Sequence, residues 1–492
     1  MRIKTTTANF NDCNFTGNNA TSEPGLGGAI YLESGTLNIS GGTLSDCVAV
    51  NGGGIYTNGG TLSLSNFALS DCKAKVSGGG LYCKSSLDIK DNTTISDCYA
   101  MTSGGGVYSP TTTLQSGTVS GCYAPKGGGL YSTNNLTISY AGEAITNCHA
   151  RDVSIADDDG ATVTTSEAAV SGNEGGGIYK SGGTLSIATS GASVKGCSAY
   201  DGGGIYYNSN NTFTFSNGSV SGNTAANDGG GIYLKANTLN MSGSAVVSDN
   251  QATNNGGGVY KAGGTFTMSG GTIGGSTANA NTAAKGAGVF VAAGQAMTMD
   301  NNNVASVISY NRASSAGGGI AAGDGAVLNF KEYVTVRNNT MGSGDSAVEC
   351  NVYLDENSNT VINKTGALNA NAYIGVYASD DQDDAHGKAG MPFGTHNNNT
   401  TNFDKFINDR RPFFYGVAGA SNKQIVWSRF VCRITDSEGH LLYTDQAHTK
   451  PAAYVTLENG DKGTGGAFGA LYNATPALYQ QKRNSSGITS GT

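Results

Sequence analysis

Six cysteines, Cys47, Cys72, Cys98, Cys122, Cys148 and Cys197, hold equivalent places in a sequence that repeats itself about every 26 residues. Thiols at such a spacing have three chemical uses: buried packing, disulfide pairing, or soft-metal binding. Zinc sites need CxxC pairs or clustered Cys and His, and the sequence has neither. Disulfides between successive members are sterically conceivable, because ~4.8 Å between adjacent strands lies inside the permitted Cα range. Parallel side chains in one rotamer nevertheless hold their sulfurs apart. The series is therefore read as a column of buried free thiols, with no metal and no cofactor. Free thiols in an exported protein suit an anaerobic habitat.

A second series is aromatic: Tyr31, Tyr56, Tyr82, Tyr108, Tyr131, Tyr179, Tyr206, Tyr233 and Tyr260, then Phe290. Each follows an aliphatic residue in a motif such as Gly52-Gly53-Gly54-Ile55-Tyr56. If the rings point outward they form a strip able to hold a glycan or a peptide, or else a self-stacked cover for the sheet beneath. Lys180 and Lys261, next in line, leave the direction of the rings open. Carboxylates run together at Asp157-Asp158-Asp159 and at Asp380, Asp381, Asp383 and Asp384. Glycoside hydrolysis needs a pair set on facing positions, which contiguous runs do not provide. Both runs read as solvated loops, and His386 beside the second does not complete an acid/base pair. No GxSxG, phosphate loop or HExxH is present. No catalytic residue is assigned, and the expectation is a protein that is not an enzyme.

The elements that position these series are short strands. A hydrophobic residue, two small or polar residues and then Cys or Asn recur at Asn18, the cysteines, Asn173, Asn223, Asn250, Ser276, Asn311 and Asn339. Interior Asn ladders bond coil to coil, and Cys is a small buried substitute. By this marker the stretch from Asp152 to Val170 is one ordinary repeat with a variant turn. Between the two motifs lies an alternating run such as Thr61-Leu62-Ser63-Leu64-Ser65, whose period of two means a half-buried strand. Its outward Thr and Ser form a third column, read as a solvated face rather than an ice-binding array. Three strands per repeat describe the coil of an all-β, single-stranded, right-handed parallel β-helix. About thirteen coils fill residues 1–345; terminal coils and an irregular β cap follow over 346–428. A hairpin across Asp436 to Gly439 and a linker occupy 429–492.

Phe15-Thr16-Gly17-Asn18 and Gly27-Gly28-Ala29-Ile30 resemble the paired FxxN and GGAI motifs of chlamydial polymorphic outer-membrane proteins, within a wider group of bacterial surface β-helix proteins. Most later repeats depart from that pattern, with Gly for Ala and Cys for Asn. The closing segment, with Gln424-Ile425-Val426-Trp427, looks similar to the end of β-helices in large surface proteins of gut Firmicutes. The resemblance implies the fold and a place on a cell surface.

Composition narrows the class further. Glycine supplies 76 of 492 residues, about twice the usual ~7%, and proline only 7, which suits tight β turns. A net charge of -8 argues against nucleic acid or an anionic membrane as partner. No apolar run is long enough to span a bilayer. The first ten residues look too short to cap an open strand edge, so the chain is expected to come from a larger exported protein. The function expected is adhesive: a stiff stalk or display surface meeting host, mucus or cell-wall glycans or proteins. The alternative is a carbohydrate-active β-helix enzyme, a lyase or hydrolase.

Overall fold

The computed structural model describes residues 1–22, 24–156, 162–355, 358–378, 392–397, 402–410, 414–418, 423–429, 431–432 and 455–456. They wind into a parallel β-helix of about 14 turns. One coil serves for all. After Gly52-Gly53-Gly54, the strand Ile55–Thr57 is followed by Thr61–Ser65, Ala68–Ser70 and Lys73–Ser77. Each lies in parallel register with the same segment one coil on: Tyr56 faces Tyr82, Leu62 faces Leu87, Leu69 faces Ile95 and Ala74 faces Ala100. The coil thus has four strands where the sequence suggested three. The fourth, after the cysteine, is only two residues long in several coils and shows no alternating run there, yet it stacks into its own sheet of 13 strands.

Alternation does what period two requires. Leu62 and Leu64 are fully buried while Thr61, Ser63 and Ser65 are half-exposed. The inward aliphatics of all coils merge into one continuous core. Two turns close each coil. The residue before the Cys/Asn position adopts left-handed backbone, as at Asp46, Asp71, Asp97 and Gly121. Asp, Asn and Gly tolerate that conformation, which explains the recurring Ser-Asp-Cys and Ser-Gly-Cys. In the glycine triplet, the first residue also has positive φ (Gly78, φ 69°). A Cβ on the second, Gly79, would collide with the Gly105 carbonyl of the next coil. A Cβ on the third would crowd the ladder residue of its own coil, 3.3 Å from Cys98 Sγ at Gly80 and 3.0 Å from Cys148 Sγ at Gly129. The two sequence motifs are therefore halves of one contact across the interior.

Two places on the expected ladder are corrected. Asn173 is not a rung, and Asp152 to Val170 is not a coil. Leu130 pairs directly with Ile178, His149 pairs with Ser198, and Ser198 N–H donates to the Cys148 carbonyl. The intervening chain leaves the rod as an antiparallel hairpin, Val153–Ile155 against Val163–Thr165, and Asn173 Nδ2 donates to Asp152 Oδ1. Its length happened to equal one repeat, which is why spacing alone misassigned it. Ser276 is not a rung either; it precedes the short 3-10 turn Thr277–Asn279. The rung is Asn281, whose Nδ2 donates to Asn311 Oδ1 at 2.8 Å.

The ladder continues past Asn339. Asn339 Nδ2 donates to Asn351 Oδ1 (2.9 Å), and Asn351 donates through its backbone N–H and Nδ2 to the Asp409 carboxylate (2.7 and 2.8 Å). Strands Val352–Leu354, Val361–Leu368 and Tyr373–Ala378 extend the parallel stack. Beyond them Pro392–His396 and Phe414–Ala418 pair antiparallel with Gln424–Arg429, ending the winding. Val431–Cys432 pairs antiparallel with Val455–Thr456. The hairpin expected across Asp436 to Gly439 lies outside the described residues.

Two outcomes follow. Gly79→Ala should lower the unfolding free energy by about 1–3 kcal/mol or more, because backbone rather than a side chain must yield. Gly59→Ala, with open space around its Cβ, should stay within about 0.5 kcal/mol; chemical denaturation compares the two. Burial pushes the Asp409 carboxyl up to about 7, with Glu349 adding to the rise, against an ordinary ~3.9. The native state then keeps a proton that the unfolded chain releases, so this group's contribution falls as pH rises from about 4 to about 7 and is flat above. Denaturation midpoints across that range should lose this slope in Asp409→Asn.

Candidate functional site

Alternation across the first strand places Ile55 and its equivalents in the core and the tyrosines on the opposite face, where Tyr179, Tyr206 and Tyr233 form a cluster of their own. Lys180 and Lys261 continue the alternation and point inward; both are fully buried. The Lys180 ammonium donates to the Asn134 and Gly182 carbonyls, and Lys261 Nζ donates to Gln295 Oε1 at 2.8 Å. Burial alone lowers Lys180 to about 7 and Lys261 to about 8. Ser109 and Tyr207 occupy the same corner and donate to Thr111 and Asn211 carbonyls (3.0 and 2.6 Å). At Ser109, Lys180 and Tyr207 this position thus satisfies backbone acceptors at the corner, as a buried carbonyl requires, while the side chains of Leu32, Leu234 and Val291 in the same place donate nothing.

Outside, Tyr31, Tyr56, Tyr82, Tyr108, Tyr131, Tyr179, Tyr206, Tyr233, Tyr260 and Phe290 form an unbroken spine. Successive ring centroids lie 4.5 to 5.6 Å apart. From Tyr56 to Tyr233 the planes differ by only 3° to 18°. Over that stretch each face is covered by the next ring, so the spine there shows solvent its edges and hydroxyls. Tyr56, Tyr179, Tyr206 and Tyr233 are buried and the remaining tyrosines half-buried. Lys84 lies over the Tyr56 ring (5.7 Å) and Lys126 over Tyr179 (5.3 Å).

Beside the middle of the spine runs a row that the sequence reading passed over. The residue before each glycine triplet stacks coil on coil, with Lys126 bridged to Glu174 and Glu174 to Asp201. Asp228 follows at the same place in the next coil, and its N–H donates to Asp201 Oδ1 at 3.2 Å. Three successive coils thus present Glu174, Asp201 and Asp228, and the signal was legible as an acid before Gly-Gly-Gly three times running. Neighbours hold them in place. Lys126 pairs with Glu174 (3.3 Å), Asn227 Nδ2 donates to Asp201 (2.9 Å), and the Asn255 N–H and Nδ2 donate to Asp228 Oδ1 (2.9 and 3.0 Å). Burial, partly offset by those bonds, raises the Asp201 and Asp228 carboxyls above the usual range. Burial, then the charge of Glu174 or Asp201, pushes the Tyr206 and Tyr233 hydroxyls well up, so both stay protonated at neutral pH.

The interior column divides into two chemistries. Cys47, Cys72, Cys98, Cys122, Cys148 and Cys197 are all buried and free. Each thiol donates to the carbonyl two residues back, at 3.1 to 3.4 Å. Away from the column, burial pushes the Cys83 thiol up to about 12. From Asn223 on, rungs bond across coils: Asn223 Nδ2 and N–H both donate to Asn250 Oδ1 (2.9 and 3.1 Å), and Asn250 repeats the pattern on Asn281. Among the described residues no group of three or more His, Cys, Asp or Glu is arranged to hold a metal, and no helix is long and apolar enough to cross a membrane. Asp157, Asp158, Asp159, Asp380, Asp381, Asp383, Asp384 and His386 lie outside the described residues.

Comparison with known proteins agrees with this architecture. No curated protein and no solved structure matches the chain. Residues 129–304 match the family model for a right handed beta helix region, and with the stacked parallel coils this makes the fold a right-handed parallel β-helix.

Proposed function

We propose that this chain is a rigid, non-enzymatic display rod of an exported bacterial protein, and that it meets host, mucus or cell-wall glycans or proteins along the tyrosine spine. The observation that carries the reading is the spine's continuity over ten coils. An enzyme needs one reactive locus, whereas a surface repeated coil after coil suits many weak contacts at once. Because the ring faces are consumed by one another, contact falls to hydroxyl edges and the flanking carboxylates. These favour a hydroxyl-rich or amine-bearing polymer over an apolar one. The resemblance to bacterial surface β-helix proteins supports the same setting.

The alternative, a carbohydrate-active enzyme, draws on Glu174, Asp201 and Asp228. Carboxylates on adjacent coils are what such chemistry requires, and two of the three are raised. Their oxygens are engaged by Asn227, Asn255 and backbone N–H groups, which favours a structural use.

Substitution by Phe separates the roles of the ring. Tyr82→Phe, Tyr108→Phe and Tyr131→Phe, all at half-buried rings, together keep the stack and remove three hydroxyls. Melting temperature should hold while retention on a mucin or glycan surface falls at least tenfold; unchanged retention would remove the spine as the contact. Tyr206→Ala instead breaks two ring pairs and should cost about 1–3 kcal/mol of stability. Incubation with a panel of plant and host polysaccharides should release no reducing ends. Release that disappears in Asp201→Asn would replace the adhesive reading with the enzymatic one.

A further inference from the structure

The rod is least regular where its coils lengthen. Between rungs Asn250 and Asn281 the extra chain forms the 3-10 turn Thr277–Asn279. After rung Asn339 the chain doubles back as a hairpin, Thr340–Met341 against Val348–Glu349. The turn and the hairpin wall a cleft of about 460 Å³, whose lining includes Thr277, Tyr310, Arg312, Asn338, Thr340 and Ser343. That volume lies within the range of small-ligand sites.

Tyr310 stands at the left-handed position before its ladder residue, with φ 61°. Equivalent coils place Asp71, Asp97, Gly196, Gly222, Asp249 or Asn338 there. A bulky aromatic in this conformation is an outlier, and such strain collects at functional sites. Its ring is half-exposed and, unlike those of the spine, makes no ring contact among the described residues. Arg312 supplies the charge. Nη2 donates to the Thr277 carbonyl at 3.3 Å, and no carboxylate among the described residues pairs with the guanidinium. Most of its five N–H donors stay available, in a fork that matches a carboxylate. Glu349, on the hairpin, is instead engaged by the Asn338 N–H and Asn351 Nδ2 (3.2 and 2.9 Å).

We propose that this cleft binds a carboxylate-bearing sugar. Arg312 takes the carboxylate, the free face of Tyr310 meets the pyranose ring, and the Thr340 and Ser343 hydroxyls meet its hydroxyl groups. A cationic, aromatic cleft on a chain of net charge -8 selects for an acidic ligand against its surroundings. The site is independent of the tyrosine spine and does not need that surface to bind anything.

Calorimetric titration of the full chain with a glucuronate disaccharide, sialyllactose and lactose tests it. At least one acidic sugar should bind and lactose should not; which acid binds distinguishes uronate from sialate. Arg312→Gln should weaken binding at least tenfold. Tyr310→Gly should abolish it while leaving the melting temperature unchanged or higher, since glycine is at ease at positive φ. The triple Phe variant of the spine should bind as the parent does. The proposal is overturned if neither acid binds, if lactose binds as tightly as the acids, or if Tyr310→Gly or Arg312→Gln binds like the parent.

Discussion

The whole rod depends on one close approach, the third glycine of each triplet passing against the Cys or Asn of its own coil. A Cβ there would lie 2.7 to 2.8 Å from a carbonyl of the next coil and 3.0 to 3.3 Å from the ladder residue at Gly80, Gly129 and Gly231, and only the first coil carries an alanine, Ala29, in that place. That contact closes the coil to a fixed cross-section, and a fixed cross-section lets every coil sit in register on the one before. Register in turn converts each repeated residue into a column, and the columns are where all the chemistry lies.

Much of this was written in the sequence. Alternation at Thr61 to Ser65 gave the inward face, and the periodic glycines gave the turns. The Cys and Asn series marked the ladder where coils had ordinary length. Spacing failed where length misled: the hairpin after Asp152 matched one repeat in residue count but pairs with itself. Asn281 was missed for Ser276 because the 3-10 turn moved the rung five residues along. Glu174, Asp201 and Asp228 were missed for another reason. They are separated in sequence and adjacent only through winding, so no contiguous run marks them. The Tyr310 cleft could not have been read at all, since its walls belong to loops without periodicity.

The spine illustrates how stacking limits what a surface offers. Ten aromatic rings in a row suggest a flat platform, yet packing face to face hides the apolar planes and leaves a line of hydroxyl groups beside carboxylates. The lone Tyr310, held in a conformation that coils such as those of Asp97, Gly222 and Asn338 give to Asp, Gly or Asn, stacks on no other ring among the described residues. Regularity makes the rod, and departure from regularity makes a pocket.

The two halves of the interior column differ in how they tie neighbours together. Asparagine amides reach across to the next coil, whereas each thiol makes its shortest bond to a carbonyl of its own coil, with Cys122 and Cys148 adding a longer one to the coil before. Under tension along the axis, both halves resist with backbone ladders, the ring stack and outer side-chain bonds, and the asparagine coils add an internal cable. A filament built this way carries load unevenly along its length, the asparagine half holding its neighbours by one more set of bonds than the cysteine half.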